Sequence, residues 1–178
     1  MIYDVVKFGQ GVLREKARPV AEVTDEIKKL AADMLETMYA ASGVGLAAEQ
    51  IGRTERLCVI DVPADAEKKE CVEFNKAVEM PLILINPEIK EYSKVTQRGN
   101  EGCLSFPEVF AQITRSNEVE VEYTGLDGTR RTARARGLLA RAIQHECDHL
   151  DGVLLVDKMS AVQRISVNGK LKRLQEKA

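Results

Sequence analysis

The sequence predicts an α+β fold, in which short antiparallel strands and hairpins pack around a central helix, with one helix N-terminal and one C-terminal to them. Three observations carry this. Apolar residues repeat at three and four near the start of the chain, alternating β-like segments follow, and helical spacing returns from Gly137 onward. Helix first, strands next and helices last is the order of an α+β domain rather than of repeating βα units. With 178 residues, no internal repeat and no low-complexity linker, residues 1–178 are expected to form one domain with its own core.

The first element is TDEIKKLAADMLETMYAAS. Ile27, Leu30, Ala31, Met34, Leu35, Met38 and Tyr39 repeat at three and four, and Thr24 or Asp25 can cap the start, which predicts a helix over about 25–41. Its methionines read as packing. RLCVIDV (56–62) and PLILINP (81–87) read as strands. The charged, poorly periodic stretch between them, 64–80, is expected to be an exposed loop with Cys71 a bystander. In NEVEVEYTG (117–125), Val119, Val121 and Tyr123 alternate with Glu118, Glu120 and Glu122, the pattern of a half-buried strand. LDG at 126–128 turns it into TRRTARAR, a hairpin. GLLARAIQHECDHLDGVLLV follows as a buried helix that Gly152 is placed to stop. Ser160 can cap a last helix reaching about Glu176, with Asn168-Gly169 a weak point inside it.

Composition narrows the function classes. A balance of 26 basic against 28 acidic residues, net −2, argues against a general nucleic-acid binder. The arginines of TRRTARARGLLAR and the tail GKLKRLQEKA read first as solvated charge. The four cysteines make no CxxC pair, which suits a reducing compartment. No apolar run approaches the ~18 residues of a membrane span, and the N-terminus has no signal-like apolar region. A cytoplasmic location is expected.

QHECDHLDG (144–152) holds both histidines of the chain. Four residues of helix turn about 400°, so His145 and His149 project within about 40° of each other. Two imidazoles on one face are half of a tetrahedral metal site. Glu146, about 100° around the helix, can reach a water on that metal without ligating it. The bland alternative is a pair of polar residues satisfied by nearby backbone; the spacing around a glutamate favours metal.

A third ligand has to come from the cysteines or the carboxylates. Cys103 lies in NEGCLSFP, expected as a sharp loop between Gly102 and Pro107, and a thiolate presented there suits zinc or ferrous iron. Alone it would read as an inert buried thiol. Cys147 points about 200° from His145 and is expected to face away from the metal. ASGVGLAAEQIG (41–52) is rich in small residues, and Gln50 offers an amide donor to a developing oxyanion. By itself the segment equally fits a helix end followed by a turn.

Together, GVGLAAEQ (43–50), EGCLS (101–105) and QHECDH (144–149) resemble, in order and spacing, the three signature motifs of bacterial peptide deformylases. The resemblance runs from VVKFGQGVLREKARPV to the helical tail and implies a single deformylase-like catalytic domain around a metal-binding helix. It implies that Cys103, His145 and His149 hold one divalent metal, ferrous iron in the cell, with zinc or other divalent ions accepted. The implied reaction removes the formyl group from the N-formylmethionine of nascent peptides and releases formate. In it Glu146 moves the proton, while the Gln50 side chain and the backbone N–H of Leu104 stabilise the oxyanion. Val44, Gly45 and Gly102 resemble the backbone that receives the peptide as an added strand. Asp148 and Glu101 either orient a ligand histidine or pair with Arg115, or are solvated. The basic tail is expected at most to touch the ribosome weakly; no membrane contact and no dedicated nucleic-acid site are expected. Two competitors are weaker. An HExxH protease usually takes a downstream His or Glu as its third ligand, whereas here no third histidine exists and the cysteine motif lies upstream; a His₂Cys electron carrier needs neither Glu146 nor Gln50.

Overall fold

Thr24 accepts the Ile27 N–H and opens helix α1 (Asp25–Ala40) in the computed structural model, which describes residues 1–178. Leu30, Ala31, Met34 and Met38 are buried along it, the stripe expected from the spacing. Strand β1 (Gly45–Ala47), a 3-10 turn at Ala48–Ile51, strand β2 (Leu57–Ile60), helix α2 (Lys69–Asn75) and strand β3 (Leu82–Tyr92) follow. Strands β4 (Thr96–Cys103) and β5 (Phe106–Ser116) pair with each other. Strands β6 (Glu118–Thr124) and β7 (Arg130–Arg136) form the expected hairpin. Helices α3 (Gly137–Leu150), α4 (Leu155–Lys158) and α5 (Ala161–Lys177) complete the chain.

The larger sheet is antiparallel throughout, in the order β1-β2-β3-β6-β7, and β4-β5 forms a separate two-stranded sheet. Helix α3 runs between the two. Its Leu139, Ala140, Ile143, Cys147 and Leu150 share one apolar core with Cys58, Leu84, Val121 and Ala135 of the large sheet. This burial removes water from one side of the helix and leaves the opposite side for polar chemistry. A second core joins Phe106, Val109 and Ile113 of β5 to Leu155, Val156 and Leu171, and a third seats α1 on Leu46, Leu57, Val59 and Ile85.

Two expectations are corrected. The 64–80 stretch is not an exposed loop throughout: α2 buries Cys71 and Asn75, and Asn75 exchanges hydrogen bonds with the backbone of Arg136. Its Glu67 carboxylate accepts the N–H groups of Leu138 and Leu139 at 2.8 and 3.0 Å, capping the start of α3. A carboxylate there satisfies donors that have no partner inside the helix and meets the positive end of its dipole. The stretch around Cys103 is not a free loop either, because Cys103 ends strand β4 and only Leu104 and Ser105 turn before β5. Helix α5 runs to Lys177 with Asn168-Gly169 inside it, as expected. Ser160 caps it as expected, accepting from the Gln163 N–H, and Gly152 takes the left-handed conformation (φ 74°) just after α3.

Candidate metal centre

Helical spacing brings the two histidines together as expected, with their Nε2 atoms 3.2 Å apart and both rings buried. Cys103 meets them from β4, its Sγ 3.3 Å from Nε2 of His149. A register shift between Gly102 and Cys103, followed by the two-residue turn, aims the thiol at α3. The three donor atoms all lie within 4.8 Å of one another. Metal bonds of about 2.0–2.1 Å to nitrogen and about 2.3 Å to sulfur, at tetrahedral angles, place ligand atoms roughly 3.3–3.6 Å apart. The observed spacing therefore fits a single divalent cation.

Behind His145 stands Glu101, a carboxylate 6% exposed on β4. It accepts His145 Nδ1 at 2.5 Å, Arg115 at 2.6 and 3.1 Å and Arg141 at 2.8 Å. Burial alone would raise its pKa; the bonds from His145 and Arg115 outweigh burial and hold it well below the usual carboxylate range. With Nδ1 committed to Glu101, Nε2 of His145 keeps its lone pair for a cation. Arg115 also binds Asp148 at 2.6 Å, so both acidic residues left open by the sequence join one network around the histidine helix.

Glu146 is buried beside these atoms, and its Oε1 finds no hydrogen-bond partner in the protein. Burial, opposed by the neighbouring His145, pushes its carboxyl up to about 7. The backbone of Gly45 lies directly against Glu146 Oε2, so close that any Cβ at position 45 would collide with it. Gln50 is fixed by its Oε1, which accepts the Ala47 N–H at 2.9 Å. Its Nε2 donates to Ser105 Oγ at 3.1 Å and approaches Cys103 Sγ at 3.4 Å.

These groups open into a cleft of about 430 Å³ lined also by Val44, Gly102 and Leu104. Of the residues singled out from the sequence, Val44, Gly45, Gln50, Glu101, Gly102, Cys103, Leu104, His145 and Glu146 line this cleft, and His149 joins them through Cys103 and His145. A larger groove of about 810 Å³ lies between residues 74–83 and the β6–β7 hairpin, away from these groups, and its Arg131 is already paired with Asp127. The sequence reading missed Ser105, which anchors Gln50, and Arg141, which reaches Glu101. Arg141 had a signal: it is four residues before His145 and therefore a charge on the same helical face.

The comparisons with known proteins agree. The family model described as polypeptide deformylase matches residues 2–165. The peptide deformylase of Pelagibacter ubique (strain HTCC1062) is 44% identical over 164 residues, covering 92% of this chain and 90% of that protein. That of Rickettsia typhi (strain ATCC VR-144 / Wilmington) is 42% identical over 174 residues, covering 98% and 97%. The crystal structure of peptide deformylase from Thermus thermophilus superposes with a TM-score of 0.85 at 38% identity, covering 100% of both chains. A peptide deformylase from Synechococcus elongatus, solved in complex with actinonin, gives 0.83 at 39% identity, covering 97% of this chain and 85% of that one. On sequence, fold and the convergence of its three motifs on one cleft, the chain belongs to the polypeptide deformylase family.

Proposed function

We propose that this chain, acting as one catalytic domain over 1–178, hydrolyses the formyl group of N-terminal formylmethionine on newly made polypeptides and releases formate. The observation that carries the reading is the spacing of Cys103, His145 and His149 at the edges of a tetrahedron, with the carboxyl of Glu146 beside them in the same cleft. A divalent metal held by the three side chains supplies Lewis acidity and makes water nucleophilic near neutral pH. The mixed sulfur and nitrogen donor set suits ferrous iron or zinc, and we assign ferrous iron to the cell.

The remaining steps belong to the protein. Glu146 takes the proton of the attacking water and hands it to the departing amine as the C–N bond breaks. An acid whose pKa lies near the working pH is suited to both halves of that transfer. The formyl oxygen gains negative charge beside the Gln50 amide and the Leu104 N–H, which stabilise it. The backbone at Val44, Gly45 and Gly102 receives the peptide as an added strand, and the methionine side chain enters the cleft along α3.

The four cysteines are unpaired, which supports a reducing, cytoplasmic setting. No helix is long and apolar enough to cross a membrane. Exposed Val162 and Ile165 on α5, followed by a basic tail, support a weak contact with the ribosome. The test is anaerobic purification with metal analysis, then assays of formyl-methionyl peptides and of unformylated peptides with internal bonds. Formate release with one metal per chain is expected; cleavage of the internal bonds alone would overturn the reading.

A further inference from the structure

Strand β7 is the last strand of the large sheet and pairs only with β6, which leaves it one free edge. Asn75 marks that edge: its side chain, not a strand, bonds the N–H and carbonyl of Arg136 at 2.8 and 3.0 Å. Along a strand the N–H and carbonyl groups of every second residue share a side, so those of Arg134 and Thr132 point the same way as those of Arg136. No protein group bonds them. Asn75 thus closes one end of an edge that stays open over the residues before it.

The groove of about 810 Å³ runs along this open edge, and Arg131, Thr132, Ala133 and Arg134 all line it. Successive side chains of a strand point to opposite faces, so four in a row can border only a groove at the strand's side. Tyr123, Leu82 and Phe74 give the groove an apolar lining. Glu79 also lines it and repels an acid there, while Arg131 is already paired with Asp127.

The outer face of the sheet has the opposite character. β7 exposes Arg130, Thr132, Arg134 and Arg136 on it, whereas Ala133 and Ala135 are buried. Arg134 and Arg136 share the Glu118 carboxylate, and Arg134 remains 58% exposed. A strand added at the edge lies about 4.8 Å from β7 and about twice as far from the acids of β6, so it meets the arginines first. Opposite charges on neighbouring strands attract and like charges repel. A second copy pairing its own β7 there would set arginines against arginines.

We propose that the β7 edge docks an extended segment of a partner protein in which acidic and apolar residues alternate. Its backbone takes the free N–H and carbonyl groups of Thr132 and Arg134 and adds a strand to the sheet. Its apolar side chains enter the groove beside Ala133, and its acidic side chains lie on the outer face beside Arg130 and Arg134. The site lies apart from the metal cleft and does not depend on the deformylase reading.

The experiment titrates the full chain into two labelled, N-acetylated peptides, one alternating valine with glutamate and the other valine with lysine, and reads fluorescence anisotropy. The glutamate peptide should bind about tenfold more tightly than the lysine peptide. Thr132→Pro removes an edge N–H that no protein group uses, a change an edge strand tolerates, and should weaken the glutamate peptide about tenfold. Arg134→Glu, a change at an exposed side chain, should weaken it by a similar factor and favour the lysine peptide instead. Equal binding of the two peptides, no binding up to about 1 mM, or binding that neither variant weakens overturns the proposal. Self-association of the native chain in sedimentation velocity, lost in Thr132→Pro, would make the occupant a second copy and overturn it as well.

Discussion

Oε1 of Glu101 lies 2.5 Å from Nδ1 of His145, although 44 residues separate them in the chain. The contact orients one ring of the candidate metal cluster from a strand that also carries its cysteine, Cys103, two residues later. Glu101→Gln keeps an acceptor but loses the charge that balances Arg115 and Arg141. Metal affinity should fall about 10–100-fold, measured by competition with a chelator. Glu101→Ala should also destabilise the fold by about 3–5 kcal/mol, because it leaves the buried Arg141 guanidinium without a carboxylate and Arg115 with Asp148 alone. Native metal affinity in Glu101→Gln would refute the assignment.

Glu146 holds no protein partner on Oε1 and does not belong to the ligand set. Glu146→Gln should therefore bind metal with native stoichiometry while formate release drops about 10²–10⁴-fold. Activity retained within a few-fold would remove Glu146 from proton transfer.

Gln50 is oriented at both ends of its amide, by Ala47 and by Ser105. Gln50→Ala should lower kcat about 10²–10³-fold with little change in KM. Ser105→Ala frees one end of the amide and should give a smaller loss of the same kind. An effect on KM alone would place the Gln50 amide in ground-state binding.

Glu49 is fully buried, and neither carboxylate oxygen has a hydrogen-bond partner. Burial pushes its carboxyl up to about 8 from an ordinary 4.5. Between these values the unfolded chain has released the proton and the folded chain keeps it. Its contribution to stability therefore falls as pH rises from about 4.5 through about 8, then levels off. Glu49→Met should gain on the native protein by about 5 kcal/mol more at high pH than at pH below 4.5, read from urea unfolding across the range. A gain independent of pH would show that Glu49 is ionised in the fold.

Glu67 takes the first free N–H groups of the histidine helix. Glu67→Ala should cost about 1 kcal/mol, a fall in Tm of roughly 2–4 °C for a chain of this size, with metal affinity nearly unchanged. No change in Tm would mean that water replaces the cap without loss.

The legible parts of this protein are those whose cause is local. The pairing of His145 with His149 follows from helix geometry over one turn, and Glu146 follows from its place between them. The Ser160 cap, the Gly152 stop and the β6–β7 hairpin are read the same way, from turn chemistry and alternation within a few residues. The strand β4 was not legible. It exposes Thr96, Arg98 and Asn100 on one face and sets Gln97, Gly99 and Glu101 on the other, so it carries no apolar alternation, and its partner is chosen by pairing across the turn. The 64–80 stretch misled for a related reason: its charges are mostly solvent-facing, and what it buries is decided by the start of α3 about 70 residues away.

The sequence by itself determined a metal-binding helix, an α+β order of elements and three motifs whose residues suit formamide hydrolysis. Only the tertiary structure decided how close Cys103 comes to the histidines, which carboxylate holds His145, and that Arg141 reaches the same carboxylate. Helical neighbours are set by 3.6 residues per turn. Contacts between β4, β5 and α3 depend instead on how separate apolar faces find common cores, which no local spacing encodes.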